Sequence, residues 1–251
     1  MEKLYLVALV LFLSGLIHGL VGFAFALTAL PLLALFTGVK QAVPLMALYS
    51  LTINVLLVII LKEKKIFKIP LRFFLALTIG VILGIQGFNL ASEYLLRITL
   101  FVAIVFFFIW EMYRYRYNKE VVYSHEIDSK LFSNPLGLSS ALIAGMLGGL
   151  LNTPGPPLII YLSFLRLDKD LFKATLQLIF AFIALNAVIN HLLVGNITYD
   201  IFKTYILILP FVIMGLYLGQ KLYSRLSNRV YYYMVNVMLL ITGILLLVKG
   251  H

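Results

Sequence analysis

The chain has 251 residues, of which 63% are apolar and 12% are charged. A soluble domain carries about 25% charged residues, so this composition excludes a soluble globular protein and indicates an integral membrane protein. The net charge of +10 is attributed to loops that face anionic lipid rather than to nucleic-acid binding. The absence of cysteine excludes thiolate metal sites and cysteine nucleophiles.

Eight apolar segments follow one another along the chain and predict an all-α polytopic membrane protein rather than a barrel of short alternating strands. Two of them, 4–36 and 136–165, are long, and each contains a stretch rich in Gly and Pro. A helix cannot continue its hydrogen bonds through such a stretch, and broken backbone at membrane depth must be buried in protein or line a polar cavity. Both stretches are therefore predicted to form a site. The other six segments have the length of one crossing, which needs about 20 residues, and they are 42–61, 70–90, 94–111, 174–194, 201–219 and 230–248.

Residues of the same type recur in the same order in the two halves of the chain, which predicts a duplication. The matched pairs are Gly19 with Gly145, Gly22 with Gly148, Pro31 with Pro157, Asn54 with Asn186, Gly80 with Gly215 and Gly84 with Gly219. The predicted parts are a first transmembrane repeat at 1–112, a charged cytoplasmic linker at 113–134 and a second transmembrane repeat at 135–251.

The distribution of Lys and Arg predicts how the two long segments cross. If each crosses once, 12 of the 20 Lys and Arg residues lie on one side and 8 on the other. If each enters, breaks and returns to the same side, the split is 5 against 15, which the positive-inside rule favours. The loops 62–72, 112–135, 165–173 and 220–229 then face the cytoplasm. A single crossing by each long segment stays open as the alternative.

In the favoured arrangement each repeat consists of a broken, re-entrant helical hairpin and three transmembrane helices. Because this number of crossings is odd, the two repeats are inverted relative to each other, as in many secondary transporters. The protein is predicted to be a multi-pass protein of the plasma membrane.

The embedded polar residues indicate an anion as the ligand. The apolar segments have no Asp, Glu, Lys or Arg at mid-depth, whereas a cation transporter or a proton pump usually embeds a carboxylate. Neutral donors and the N-termini of broken helices suit an anion instead. We expect one midplane site at which the two breaks face each other. Its candidate substrate-binding residues are His18, Gly22, Phe23, Thr28, Asn54, Gly149, Asn152, Thr153, Gly155, Pro156 and Asn186.

Several of these residues also have a structural interpretation. His18 is either a hydrogen-bonded packing residue or a group that binds substrate or a proton. Asn54 and Asn186 either bond between helices or line the cavity. For the glycines of the 80–84 and 215–219 stretches, close helix packing is the preferred interpretation.

The two broken stretches resemble the signature stretches of the TauE/SafE family, also called the TSUP anion permeases. The first is Gly19-x-x-Gly22-Phe23-x-Phe25 followed by Pro31, and the second contains Gly148-Gly149-Leu150 and Gly155-Pro156-Pro157. This chain has Ala24, Ala26 and Pro154 where members often have glycine. The resemblance implies export of small sulfur-containing anions such as sulfite, sulfoacetate or other organosulfonates.

We therefore predict a secondary transporter that exports small sulfur-containing oxyanions by alternating access. An uptake permease for another small anion and a non-transporting membrane scaffold or sensor are the alternatives. The apolar region has no HExxH motif, paired carboxylates or Ser/His/Asp set, so neither an enzyme nor a catalytic residue is predicted. No metal and no cofactor are expected. The expected partners are a small anionic substrate and the lipid bilayer, without nucleic acid, and a homodimer is left open.

Overall fold

The computed structural model describes residues 2–61, 69–96, 98, 99, 102, 105, 128–165, 167–225, 227 and 230. Its helices are α1 (Glu2–Val21), α2 (Phe25–Thr37), α3 (Val39–Leu61), α4 (Leu71–Leu90), a 3₁₀ helix (Leu131–Ser133), α5 (Pro135–Leu151), α6 (Gly155–Phe164), α7 (Lys169–Leu193) and α8 (Tyr199–Tyr223).

Four of these helices, α3, α4, α7 and α8, are long and apolar enough to cross a membrane. Large apolar side chains such as Leu75, Ile79, Ile206 and Tyr217 are exposed on α4 and α8, as expected for surfaces that contact lipid. The chain is an all-α polytopic membrane protein. The predicted spans 94–111 and 230–248 and the predicted linker 113–134 fall largely outside the described residues.

Both long apolar segments break at the predicted interruptions. Between α1 and α2 the backbone has positive φ at Gly22 (82°) and Ala24 (78°), and between α5 and α6 it has positive φ at Asn152 (55°). Glycine and asparagine are the residues that adopt this conformation most readily at a helix end. Pro154 then precedes α6 and cannot extend α5, because proline lacks the N–H that a helix interior needs.

The second long segment is a hairpin. Tyr161, near the end of α6, donates its hydroxyl proton to the carbonyl oxygen of Leu131 at 2.5 Å. Its ring also lies 5.9 Å from the ring of Phe132. Since Leu131 and Phe132 immediately precede α5, the end of α6 returns to the end of the bundle at which α5 begins. A helix of 10 residues such as α6 is about 15 Å long, half the thickness of the hydrocarbon core.

The directions of the long helices follow from contacts along their lengths. The ring of Phe74 lies 4.8 Å from that of Phe182, and the ring of Phe88 lies 5.4 Å from that of His191. Therefore α4 and α7 run in the same direction.

The start of α5 lies at the same end as that of α4, because the ring of Phe132 lies 5.1 Å from that of Phe73. The start of α3 lies at the other end, since Val39 contacts Glu93 just after α4. The end of α3 and the starts of α4, α5 and α7 therefore share one end of the bundle, which we call the predicted cytoplasmic end. The opposite end is the predicted outer end.

The first long segment is also a hairpin, but it enters from the predicted outer end. Its first limb, α1, runs parallel to α8, because Gly15 approaches Val212 and Gly19 approaches Leu216. Its second limb, α2, returns to the predicted outer end. There the N–H of Val39, just after α2, donates to Glu93 Oε1 at 2.6 Å, just after α4.

Glycines allow close backbone contact in two helix pairs, α1 with α8 and α4 with α5. A Cβ added at Gly84 would lie 2.2 Å from the carbonyl oxygen of Met146, and one at Gly215 would lie 2.2 Å from that of Phe12. No side chain fits at such distances, so the backbones touch as in other small-residue contacts between membrane helices. The packing interpretation of the 80–84 and 215–219 glycines is correct.

Each hairpin therefore packs against a long helix of the other half of the chain. The matched helices α3 and α7 run in opposite directions, as do α4 and α8. The two hairpins enter from opposite ends. These are the relations that inverted repeats require, while the duplication itself stays a prediction.

Candidate functional site

The two breaks meet at one small cavity, halfway along α3 and α7. Its volume is about 30 Å³, which is room for about two water molecules. Among the described residues, the lining includes no Asp, Glu, Lys or Arg. The residues that line it are His18, Phe23, Ala24, Phe25, Ala26, Leu27, Ser50, Asn54, Asn152, Thr153, Pro154, Gly155, Phe180, Ile183 and Ala184.

His18, in the last turn of α1, is fixed by two amide side chains from other helices. Its Nε2 lies 3.0 Å from Asn54 Oδ1 and 3.2 Å from Gln177 Oε1. Both amide orientations are set by backbone carbonyls. Asn54 Nδ2 donates to the Ser50 carbonyl oxygen at 2.6 Å, and Gln177 Nε2 donates to that of Gly22 at 2.5 Å. This network joins α1, α3, α7 and the first break.

Asn152 joins the second break to the same helix α3. It ends α5 in the left-handed conformation, and its Nδ2 donates to Ser50 Oγ at 2.7 Å. Ser50 and Asn54 lie one turn apart on α3, so a single helix face holds the polar groups of both breaks. The two hairpins are thereby connected across the cavity through α3.

Two buried polar atoms of the cavity residues have no hydrogen-bond partner among the described residues. They are His18 Nδ1 and Thr153 Oγ1. His18 is 3% exposed and Thr153 is 2% exposed. Because buried polar groups are nearly always paired, two such atoms at one cavity indicate a place for a polar ligand or water.

The N-termini of α2 and α6 at the cavity differ in how many free backbone N–H groups they offer. No side chain caps α2 or α6 among the described residues, so the first N–H groups of α2, from Phe25 to Leu27, are not used within the helix. In α6 the second and third residues are Pro156 and Pro157, which have no N–H. Most backbone donors at the cavity therefore belong to α2, whose positive dipole end also lies there.

Lys173 lies in a helix, so its predicted place in the 165–173 loop is wrong. It lies in the second turn of α7 and is fully buried. Its Nζ donates to the Gly19 carbonyl oxygen at 2.5 Å and to Gln220 Oε1 at 2.7 Å. It also lies 3.5 Å from the centroid of the Tyr223 ring. The Nζ group thus caps the end of α1 between the cavity and the predicted cytoplasmic end.

The structure brings six of the eleven predicted site residues to the cavity, namely His18, Phe23, Asn54, Asn152, Thr153 and Gly155. Gly22 lies beside it, packed against the side chains of Lys173 and Gln177. Pro156 is buried in α6 but is not part of the lining.

Three predicted residues lie away from the cavity, each for a local reason. Thr28 Oγ1 donates to the Ala24 carbonyl oxygen at 2.8 Å, within its own helix. Asn186 Nδ2 likewise donates to the Phe182 carbonyl oxygen at 2.9 Å. Gly149 packs against α4, where an added Cβ would lie 2.4 Å from the Val81 carbonyl oxygen.

Three polar residues at or beside the cavity were not predicted from the sequence. Ser50 lines the cavity, and Gln177 and Lys173 pack behind it against Gly22. The spacing of polar residues along the two helices could have pointed to all three. Ser50 precedes Asn54 by four residues, and Lys173 precedes Gln177 by four, so each pair shares a helix face. Nothing in the sequence, however, showed which helix face meets the breaks.

The chain matches the family described as Sulfite exporter TauE/SafE over residues 7–246. The match includes both breaks and all four long apolar helices. No curated protein and no solved structure matches the chain.

Proposed function

The chain belongs to the TauE/SafE sulfite exporter family of membrane transporters, and we propose that it exports small sulfur-containing oxyanions by alternating access through the cavity between the two breaks. The observation that carries this proposal is the meeting of both breaks at one cavity with neutral polar groups. The absence of an acidic side chain from its described lining supports an anion rather than a cation.

The donors available at the cavity suit an oxyanion. The first N–H groups of α2, the hydroxyl of Thr153 and the amide of Asn152 can each donate to a sulfite or sulfonate oxygen. A membrane potential that is negative inside favours anion exit by roughly 2.3 kcal/mol per charge per 100 mV. Export therefore needs no embedded carboxylate for energy coupling.

The size of the cavity supports a transport cycle in which the helices move. Sulfite has four heavy atoms, and the cavity has room for about two water molecules, so the site must widen to admit the anion. We expect the hairpins to move, since each packs by glycine contacts against a long helix of the other half. Sliding of α1 along α8 or of α5 along α4 would open the cavity towards one end at a time.

Flux from proteoliposomes tests the proposal. Vesicles are loaded with labelled sulfite, sulfoacetate, sulfate or chloride, and a potassium gradient with valinomycin sets the inside negative. We expect sulfite or sulfoacetate efflux well above that of protein-free vesicles, faster when the inside is more negative. If none of the four anions leaves faster than from protein-free vesicles, the proposal is wrong. Selective chloride efflux would support the alternative of a carrier for another small anion.

The substitution Asn152→Ala tests whether the anion binds at the cavity. Removing this amide deletes a possible donor to the anion and leaves Ser50 Oγ without its partner. Loss of one buried hydrogen bond should lower anion affinity roughly 5- to 150-fold. Asn190→Ala is the matched control, because its Nδ2 donates to the Asn186 carbonyl oxygen and it lies outside the cavity lining. Equal affinity in both variants would contradict the placement.

A further inference from the structure

We propose that the cavity selects an oxyanion that carries one ionisable proton, such as hydrogen sulfite, over a fully ionised oxyanion. In the bound state, the anion's O–H donates to His18 Nδ1, and another anion oxygen accepts from Thr153 Oγ1. This inference rests on the proposed function and specifies the protonation state of its substrate.

The tautomer of His18 follows from its partners. Asn54 Oδ1 and Gln177 Oε1 both contact Nε2, and both are acceptors because their amide nitrogens donate to backbone carbonyls. Nε2 must therefore carry the hydrogen. In a neutral ring the other nitrogen, Nδ1, then presents a lone pair, and it has no partner among the described residues.

Thr153 has the complementary property. Its hydroxyl, also unpaired among the described residues, can donate to an anion oxygen. A site that offers the Nδ1 acceptor together with donors such as the Thr153 hydroxyl matches a monoprotonated oxyanion, which has an O–H and negatively charged oxygens. A fully ionised oxyanion would place an oxygen lone pair against the Nδ1 lone pair and leave a buried acceptor unpaired, which is unfavourable.

The charges around His18 favour a neutral ring with the proton on the anion. From α7, Lys173 is the basic residue on this side of His18, and its Nζ donates to the carbonyl oxygen of Gly19, the next residue along the chain. From α2 and α3 the neighbours are Phe25 and Asn54, which are uncharged. From α8, Gln220 and Tyr223 surround Lys173, and Asp170 of α7 accepts from the Tyr223 hydroxyl at 2.6 Å. The hydrogen-bond partners of His18 are neutral amides, so a positive charge on its ring would be buried without a carboxylate partner, which is unfavourable.

One consequence concerns the charge that moves in each cycle. A proton accompanies every anion, so sulfite moves as a monoanion with one negative charge rather than two. The membrane potential then acts on a single charge per cycle.

The test measures binding to the purified full chain by titration calorimetry, with sodium sulfite and sodium methanesulfonate from pH 6 to 9. Methanesulfonate has three oxygens, none of them protonated in this range. We expect the affinity for total sulfite to fall as the hydrogen form is lost, approaching tenfold per pH unit at high pH. Methanesulfonate affinity should not change with pH, and at pH 6 it should be roughly 5- to 150-fold weaker than that of sulfite.

Two variants separate the roles of the two atoms. His18→Phe removes the acceptor, so sulfite and methanesulfonate should bind with similar affinity. Thr153→Val removes the donor at constant shape, so both anions should bind more weakly while their affinity ratio and the pH dependence persist. His191→Phe is the matched control. It changes another buried histidine, at the predicted outer end and outside the cavity lining, and should leave both affinities unchanged.

The wild-type titration decides the inference even if His18→Phe does not fold. Sulfite affinity that is constant or rises with pH, or methanesulfonate that binds as tightly as sulfite at pH 6, would overturn the selection of a protonated anion while leaving the proposed export function intact. Failure of every oxyanion to bind at any pH would overturn both.

Discussion

At the scale of single residues, the first break depends on Gly22. Its φ of 82° lies in the region that residues with a Cβ adopt only with strain. An added Cβ would also lie 2.8 Å from Lys173 Cγ and 3.2 Å from Gln177 Nε2. Gly22 therefore serves both the turn of the hairpin and the close approach of the two buried polar side chains behind it.

Gly22→Ala should destabilise the protein more than backbone strain alone predicts. The matched control is Gly195→Ala, because Gly195 has a similar φ of 75° but no atom within 4 Å of an added Cβ. We expect a loss of roughly 1 kcal/mol for the control and a further 1–3 kcal/mol, roughly, for Gly22→Ala from the crowding. Thermal unfolding in detergent measures both. Equal losses would show that the contacts of Gly22 with α7 contribute nothing.

At the scale of elements, the glycine contacts decide how closely α4 approaches α5. The backbones are so near at Gly84 that an added methyl group would overlap the carbonyl of Met146. One turn later, at Gly87, an added methyl group would meet only Leu150 Cδ1 at 3.5 Å, an ordinary contact distance. One helix therefore offers two glycines with opposite expected responses.

Gly84→Ala should push α4 away from α5 and destabilise the protein by roughly 1–3 kcal/mol. Gly87→Ala should be neutral or stabilising by up to about 1 kcal/mol, because alanine favours the helix and gains a contact. Unfolding of both variants in the same detergent gives the comparison. A larger loss for Gly87→Ala than for Gly84→Ala would contradict the described packing of these helices.

At the scale of the whole molecule, the helix directions divide the basic residues between the two ends of the bundle. Lys40 lies at the predicted outer end, together with Gly195. At the opposite end, Lys130 lies just before the 3₁₀ helix that precedes α5, and Lys221 lies in the last turn of α8. The predicted homodimer stays a prediction. Nothing in the described part of the chain supports it.

The absence of native cysteine makes this division testable with single cysteines. In intact cells, a membrane-impermeant maleimide should label Lys40→Cys and Gly195→Cys. It should label Lys130→Cys and Lys221→Cys only after the membrane is permeabilised. Labelling of Lys40→Cys and Lys221→Cys from the same side would exclude the hairpin arrangement, since these positions lie at opposite ends of the bundle.

The sequence by itself determined the membrane class, the helical architecture and the positions of both breaks. These properties are local. Composition determines whether the chain folds in lipid or in water. Gly and Pro determine where a helix can continue, independently of where the rest of the chain lies. The distribution of Lys and Arg along the sequence also favoured two hairpins, because the positive-inside rule acts on loops rather than on packed residues.

Only the tertiary structure decided which polar residues share the cavity. Asn54 and Asn186 occupy matched places in the sequence, yet Asn54 contacts His18 and Asn186 bonds to its own helix. The sequence places Lys173 in a loop, whereas the contacts of its Nζ with α1 and α8 show that the side chain is enclosed. Which face of a helix meets a neighbour depends on contacts between residues far apart in the chain, and a periodic pattern does not contain that information.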